Sequence, residues 1–147
     1  MQNPTREQVA IALFALLQTM GSSFNTYSRR PKLFGDAPSL PALYMGQIQD
    51  DYEYRNGTAA PPLVTMQFAV WIYGNFAEDP NVIPDTAFNA LLDLLDTTIG
   101  GFAVNGLAQT LGGIVNHAWI SGTVHRAPGW LNGQGEIFLT ISVLVPS

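Results

Sequence analysis

Residues 107–145, LAQTLGGIVNHAWISGTVHRAPGWLNGQGEIFLTISVLV, hold two β-branched apolar runs joined by a segment rich in Pro, Gly and Asn. In the second run Ile137, Leu139, Ile141, Val143 and Val145 share one parity, while Glu136, Phe138, Thr140, Ser142 and Leu144 share the other. A period of two is the signature of a strand with one face in a core. The first run, 114–125, sets Ala118, Ile120, Gly122 and Val124 against Val115, His117, Trp119, Ser121 and Thr123. It supplies the partner strand. Between the two, Ala127-Pro128-Gly129 and Asn132-Gly133-Gln134-Gly135 are turn chemistry, so a long antiparallel hairpin is expected.

The rest of the chain supplies what such a hairpin packs on. Thr5 followed by Gln8 forms a capping box, and Val9, Ala12, Leu13, Leu16, Leu17 and Met20 then recur at helical spacing until Gly21, which predicts a helix over 5–20. Ile11 and Phe14 widen its apolar arc beyond one contact. Residues 22–30 carry a weak alternation that ends at Pro31 and predict a short strand, 31–41 a Pro-punctuated loop, and 42–49 an extended segment. There follows the acidic, aromatic tract Asp50-Asp51-Tyr52-Glu53-Tyr54-Arg55, then an aperiodic turn over 56–62. Residues 63–73 alternate most clearly, with Val64, Met66, Phe68, Val70 and Ile72 on one face and Thr65, Gln67, Trp71 and Tyr73 on the other. After a loop over 74–84, Asp85 is placed to cap a second helix whose Phe88, Leu91, Leu92, Leu95 and Ile99 keep 3.6 spacing, with Asp93 and Asp96 on the wet side and Gly100-Gly101 as its end. The order α-β-β-β-α-β-β predicts a single α+β domain, a mainly antiparallel sheet flanked by two helices.

Composition narrows the function classes. A chain of 147 residues, 47% apolar and only 12% charged, folds as one domain and buries about two-thirds of its unfolded surface. The six basic residues, Arg6, Arg29, Arg30, Lys32, Arg55 and Arg126, form no stripe, and the net charge is −5, which argues against tight binding to a phosphate backbone. With no Cys there are no disulfides, thiol nucleophiles or Cys zinc sites. No apolar run approaches about 18 residues and the start lacks the order of a signal peptide, so folding in a cytoplasm with no membrane association is expected.

Chemistry-bearing patterns are sparse. His117 and His125 share a parity, but eight strand positions set them about 26 Å apart, too far to share a metal unless a bulge folds the strand. Ser121 and Ser142 lack a nucleophile elbow, and Gly100-Gly101 and Gly112-Gly113 lack the following Lys-Ser/Thr of a phosphate loop and are turns. Asp50, Asp51 and Glu53 lack calcium-loop spacing. No catalytic, cofactor or metal residues are therefore assigned. Two features stand out instead. The non-core parity of the strands carries Trp71, Tyr73, Trp119, Phe138 and Leu144, more apolar bulk than a solvated face normally shows, so either helices cover both faces or subunits associate. An open sheet also leaves edges that a closed ring removes.

At Ser28-Arg29-Arg30, Pro41-Ala42-Leu43-Tyr44 and above all Gln109-Thr110-Leu111-Gly112-Gly113-Ile114-Val115-Asn116-His117-Ala118-Trp119-Ile120-Ser121-Gly122-Thr123, the chain resembles the tail terminator, or tail completion, proteins of tailed bacteriophages. The resemblance of order and spacing runs from the opening helix to the final strand. It implies an α+β subunit that assembles as a ring, typically a hexamer, on the last ring of the tail tube in the virion, stops polymerisation there and meets the head-side connector or head-closure protein. It transfers no catalytic residue and no cofactor. An acidic subunit lining a conduit would let DNA pass without specific binding. On this view the tract of Asp50, Asp51 and Glu53 reaches toward the lumen or a neighbour, and Arg29, Arg30 and Arg126, with Trp71 and Trp119, contribute to contacts between subunits. The alternatives are a head-closure or head-tail joining protein of the same neck and a small ligand-binding or hydrolytic domain using His117.

Overall fold

The computed structural model describes residues 4–33, 36–37, 39–54, 63–75, 81, 83–100, 108–127 and 134–145. Helix α1 (Arg6–Gln18) starts where the sequence places it. Thr5 accepts from the Gln8 backbone N–H (3.1 Å) and the Gln8 side chain accepts from the Thr5 N–H (2.8 Å), closing the capping box. The helix stops two residues earlier than expected, at a Thr19 cap, and Gly21 (φ +62°) turns the chain into a short 3-10 turn, Gly21–Ser23. Strand β1 (Thr26–Ser28) follows, then β2 (Ala42–Glu53), β3 (Leu63–Asn75), α2 (Pro84–Ile99), β4 (His117–Ala127) and β5 (Gln134–Val145).

The five strands form one sheet in the order β1-β2-β3-β5-β4. Every pairing is antiparallel except β1 with β2, which is parallel in the register Thr26↔Ala42 to Ser28↔Tyr44. The parallel pair requires a return crossover. The segment after β1 provides it, held back on the strand by bonds from Asn25 N–H to the Pro41 carbonyl (2.8 Å), from Asn25 Nδ2 to the Leu40 carbonyl (2.6 Å) and from Thr26 Oγ1 to the Ser39 carbonyl (2.8 Å).

The expected parities hold. Met66, Phe68, Val70 and Ile72 of β3 lie beside Ile137, Leu139, Ile141 and Val143 of β5, all at most 1% exposed, with Leu43 and Met45 of β2 and Ala118 of β4 on the same side. Onto this inner face pack Val9, Ala10, Leu13 and Leu17 of α1 and Phe88, Leu95 and Ile99 of α2, in one continuous core. Each fully buried aliphatic here stabilises by roughly 1.5–3 kcal/mol of transfer free energy. Phe14 packs against that core, whereas Ile11 stays exposed.

Three expectations are corrected. First, β2 does not end at 49: it runs on through the acidic tract to Glu53, paired as far as Glu53↔Leu63 with a register shift between Gln47 and Gln49. Neighbouring β3 offers backbone partners along that whole length, which outweighs the low strand preference of Asp. Second, β4 begins at His117 and not at 114. Leu111 (φ +50°), Gly112 (+79°) and Gly113 (+96°) curl the chain, and the Thr110 carbonyl accepts from the N–H groups of Gly113, Ile114 and Val115. Third, the residue before α2 is Ile83, with Pro84 in the first turn and Asp85 inside the helix. Proline's fixed φ and missing N–H suit that first position, and Asp85 still complements the positive end of the helix dipole. Of the two arrangements left open for the outer face, helices on both faces is not the one seen: both helices lie on the same face, so the sheet is covered by helix on one side only among the described residues. The turns over 56–62 and 128–133, and Gly101, fall outside the described residues.

Candidate interaction surface

The outer face is read directly from the strand registers. Across β2, β3, β5 and β4 the rows are Ala42–Tyr73–Glu136–Ala127, Tyr44–Trp71–Phe138–His125, Gly46–Ala69–Thr140–Ser121, Gln49–Gln67–Ser142–Trp119 and Asp51–Thr65–Leu144–His117. Chemistry changes along the strands. The second row is aromatic throughout, the first adds Tyr73, and the last two are mostly polar, with Trp119 and His117 at the β4 edge.

Near β1 this face is roofed by the crossover. Tyr44 and Ala42 are fully buried, with Ala37, Leu40 and Trp71 packed around them. The Tyr73 hydroxyl donates to the Lys32 carbonyl (2.6 Å), and a Cβ on Gly46 would come within 3.3 Å of Pro31, so the chain crosses close to the sheet here, and a larger residue at 46 would push it outward slightly. Tyr44 and Tyr73 meet at 5.5 Å with their rings tilted by 51°, and burial raises the pKa of both phenols; Glu136 and Tyr44 add to the effect at Tyr73. The Tyr44 hydroxyl is buried with no hydrogen-bond partner.

Further along, the aromatic row continues with Trp71 and Phe138 half-buried and His125 exposed. Trp71 meets Phe138 at 5.6 Å and Phe138 meets His125 at 6.3 Å. At the edge, His117 lies nearly parallel to Trp119 (5.1 Å, 17°), and its Nδ1 accepts from the Gln109 N–H at 3.2 Å. Ser121 and Ser142 share a hydrogen bond of 2.7 Å, and Gln49 and Gln67 both donate to Asp51, Gln67 at 2.8 Å. Half-exposed aromatics beside hydrogen-bonded Ser and Gln side chains give this face the composition of a contact surface.

The residues singled out from the sequence are distributed as follows. Trp71 and Trp119 both lie on the outer face, in different rows. Arg29 and Arg30 follow β1, whereas Arg126 closes β4 at the opposite edge, so the three arginines do not form one patch. Arg29 is paired with Glu7 of α1, and Arg126 donates to Asn89 of α2 (2.7 Å). The acidic tract is split by strand alternation. Asp50 faces the helices and pairs with Arg6 (2.6 Å), which also reaches the Tyr52 hydroxyl; Asp51 lies on the outer face; Glu53 is exposed. His117 and His125 do share the outer face. Between Ser121↔Thr140 and His125↔Phe138 three β4 residues oppose one of β5, with Gly122 at φ +68°, so the bulge inserts an even number and restores parity. It also shortens the span between the imidazoles to six β5 positions, about 20 Å, still beyond one metal's reach. Among the described residues no group of three or more His, Asp or Glu is placed to hold a metal ion, and no helix is long and apolar enough to cross a membrane.

Sequence reasoning missed Tyr44, Arg6 and His125 as parts of this geometry. Residues 42–45 are all buried and give no alternation to reveal which face Tyr44 takes. The Arg6–Asp50 pair spans 44 positions, which no local pattern encodes.

No family model matches the chain, and no curated protein matches it. Among solved structures, a chain of the virion of a native gene transfer agent particle superposes with a TM-score of 0.48 at 17% identity, over 95% of this chain and 92% of that one.

Proposed function

We propose that this protein is a structural subunit of a phage-like virion, a tail terminator that closes as a ring, six-membered by the resemblance drawn above, on the end of the tail tube and presents its other surface to the head-side connector. The observation that carries this reading is the outer face of the sheet. Half-buried Trp71 and Phe138 and exposed His125 form an aromatic row with no helix over it among the described residues, and Trp119 and His117 stand on the same face at the β4 edge, beyond the row of Thr140 and Ser121. Such a face is stable in a subunit but better satisfied against a neighbour. The β4 edge and the long free edge of β2 beyond Tyr44 call for the same remedy, since β1 pairs with β2 only as far as that residue.

Net charge supports the conduit role. At −5 per subunit, a ring repels the duplex and lets it slide. Arg29, Arg30 and Arg126 are proposed to lie at subunit boundaries, with Asp51 and Glu53 on the hairpin that reaches the lumen or a neighbour.

Native mass spectrometry of the purified protein tests the reading. Six copies are expected, with negative-stain images showing an annulus; a strictly monomeric species at every concentration sampled overturns it. Replacing Asp51 and Glu53 with Lys is expected to reduce infectious particles while leaving ring mass unchanged.

A further inference from the structure

Among the described residues, the charges outside the ion pairs include a basic corner after β1 and an acidic face on α2, with Asp36, Asp51 and Glu53 elsewhere on the β1–β2 side. Among the described residues the ion pairs are Arg6–Asp50 and Arg29–Glu7, and both tie α1 to the β1–β2 side of the sheet. Helix α2 is tied to the other side, through Arg126 to Asn89 and through Gln109 Nε2 to the Ile99 carbonyl (2.7 Å). After β1 stand Arg30 and Lys32, both exposed, with Leu33, 77% exposed, immediately after them and the exposed Asp36 three positions further on. This corner is held firmly, because the Arg30 N–H donates to Ser28 Oγ (3.1 Å) and the Lys32 carbonyl accepts from Tyr73. What remains on α2 is acidic. The helix has Asp85, Asp93 and Asp96 and no Lys or Arg, and Asp93 and Asp96, three positions apart, are exposed on one side of its second half.

That second half is where a helix least tolerates negative charge, because its dipole points its negative end there. Partial burial, with Asp93 as a second cause, raises the Asp96 carboxyl above its ordinary range, as expected of an anion with no cation beside it. Local chemistry broken in this way is a mark of a surface shaped for something outside the subunit.

We propose that copies of this chain associate head to tail, with the Arg30–Lys32–Leu33 corner of one subunit seated on the Asp93–Asp96 face of α2 of the next. This rests on the ring reading above and names its contact. The two patches are opposite in sign and lie at opposite edges of one sheet, so head-to-tail contact pairs each with its complement and leaves both ends open for further copies. The patches also stand level. Ser28 lies in the row of Tyr44, Trp71, Phe138 and His125, Arg126 is the next residue of β4, and Asp93 follows one helical turn after its partner Asn89. A head-to-tail contact closes a ring where it rotates each copy without a rise along the axis, and winds a filament otherwise. Exposed ion pairs add little affinity by themselves; they choose which faces meet, while Leu33 supplies apolar contact.

The test uses three variants of the full chain: Arg30→Glu with Lys32→Glu, Asp93→Lys with Asp96→Lys, and all four together. Native mass spectrometry at low salt is expected to show each double variant losing ring by about tenfold or more, since like charges then face each other. The quadruple variant regains it. A 1:1 mixture of the two double variants is also expected to form rings, with the two masses in equal number, because every junction in an alternating ring is again complementary. Rings formed by the mixture establish that both variants fold. If wild-type rings form and each double variant assembles equally well, or the mixture and the quadruple variant stay dissociated, the contact is wrong and the ring reading stands. If the wild type forms no ring, both fall together.

Discussion

The two faces of the sheet are built from the same strands by opposite rules. The inner face is aliphatic, closed by two helices, and contains no described polar side chain between Ile137 and Val143; every residue of that row is fully buried. The outer face carries Tyr, Trp, Phe and His beside Ser, Thr, Gln and Asp, and of its core-like members only Ala42, Tyr44 and Tyr73 form a buried cluster under the crossover. The inner face is sufficient to hold the fold. The outer one has a composition that the fold does not need, which is why function is sought there.

The largest expected effect breaks or upholds that division. Leu139→Ala, at the centre of the inner face, should destabilise the subunit by about 2–5 kcal/mol, because the helices cannot collapse fully into the cavity. Trp119→Ala on the outer face removes a larger side chain but should cost only about 1 kcal/mol, roughly the worth of its pairing with His117 and of its partial burial. Urea unfolding of the two variants beside the wild type compares them directly. Equal losses would mean that both faces carry the fold and would remove the reason for assigning the outer one a separate role. Under the proposed ring, Trp119→Ala should also shift assembly.

The next effect is smaller and sharpens the account of how the inner face is closed. The Thr5 and Gln8 capping box fixes the start of α1, whose Val9, Ala10, Leu13 and Leu17 supply one half of the cover. Thr5→Ala should cost about 1 kcal/mol. Thr5→Ser should restore nearly all of it. A loss from Thr5→Ala that Thr5→Ser does not recover would assign the effect to packing of the Thr5 methyl and not to the cap.

How much of this was legible beforehand follows from range. The inner face was readable because alternation over β3 and β5 is a local signal, and both faces of that alternation appear in the registers. The α1 cap was readable for the same reason. What escaped depended on partners far along the chain. Asp50 and Asp51 look like one acidic cluster in sequence, yet strand geometry sends Asp50 to Arg6 on the helix side and Asp51 to Gln49 and Gln67 on the other. Pairing of β2 with β3 decided that, not any property of the tract. Likewise the parallel β1–β2 pair needed the crossover over Tyr73, and the bulge in β4 needed the register of β5 to reveal it. Arg29 and Arg126 show the same limit for the surface: each has a partner within its own chain, Glu7 and Asn89, which their neighbours in sequence do not announce.

The smallest effect separates the two helices that cover the inner face, since each carries an acid at the opposite end of its dipole. Glu7, in the first turn of α1, has its carboxyl held below the ordinary value of 4.5 by the hydrogen bond from Arg29. Its folded pKa is depressed, so its stabilising contribution is present at neutral pH and is lost as pH falls through the folded value. Asp96, in the last turns of α2, is shifted the other way, by partial burial and by Asp93. With its folded pKa above the unfolded value, the native state binds the proton more tightly, so its ionised form weakens the subunit at neutral pH and that cost disappears as pH falls through the folded value. Asp96→Asn should therefore stabilise the isolated subunit at pH 7 by about 0.2–0.5 kcal/mol, the scale of a like-charge neighbour on a helix, with the gain vanishing in acid. Glu7→Gln should do the reverse, losing stability at pH 7 and not in acid. Under the head-to-tail contact, Asp96→Asn has a second consequence of opposite sign: the subunit melts higher while the ring comes apart more easily, because the charge that burdens the monomer is the one the neighbour's Arg30 and Lys32 would meet. Melting and native mass spectra recorded on the same sample separate the two. A variant that raises both subunit stability and ring yield would mean that Asp96 has no part in the junction.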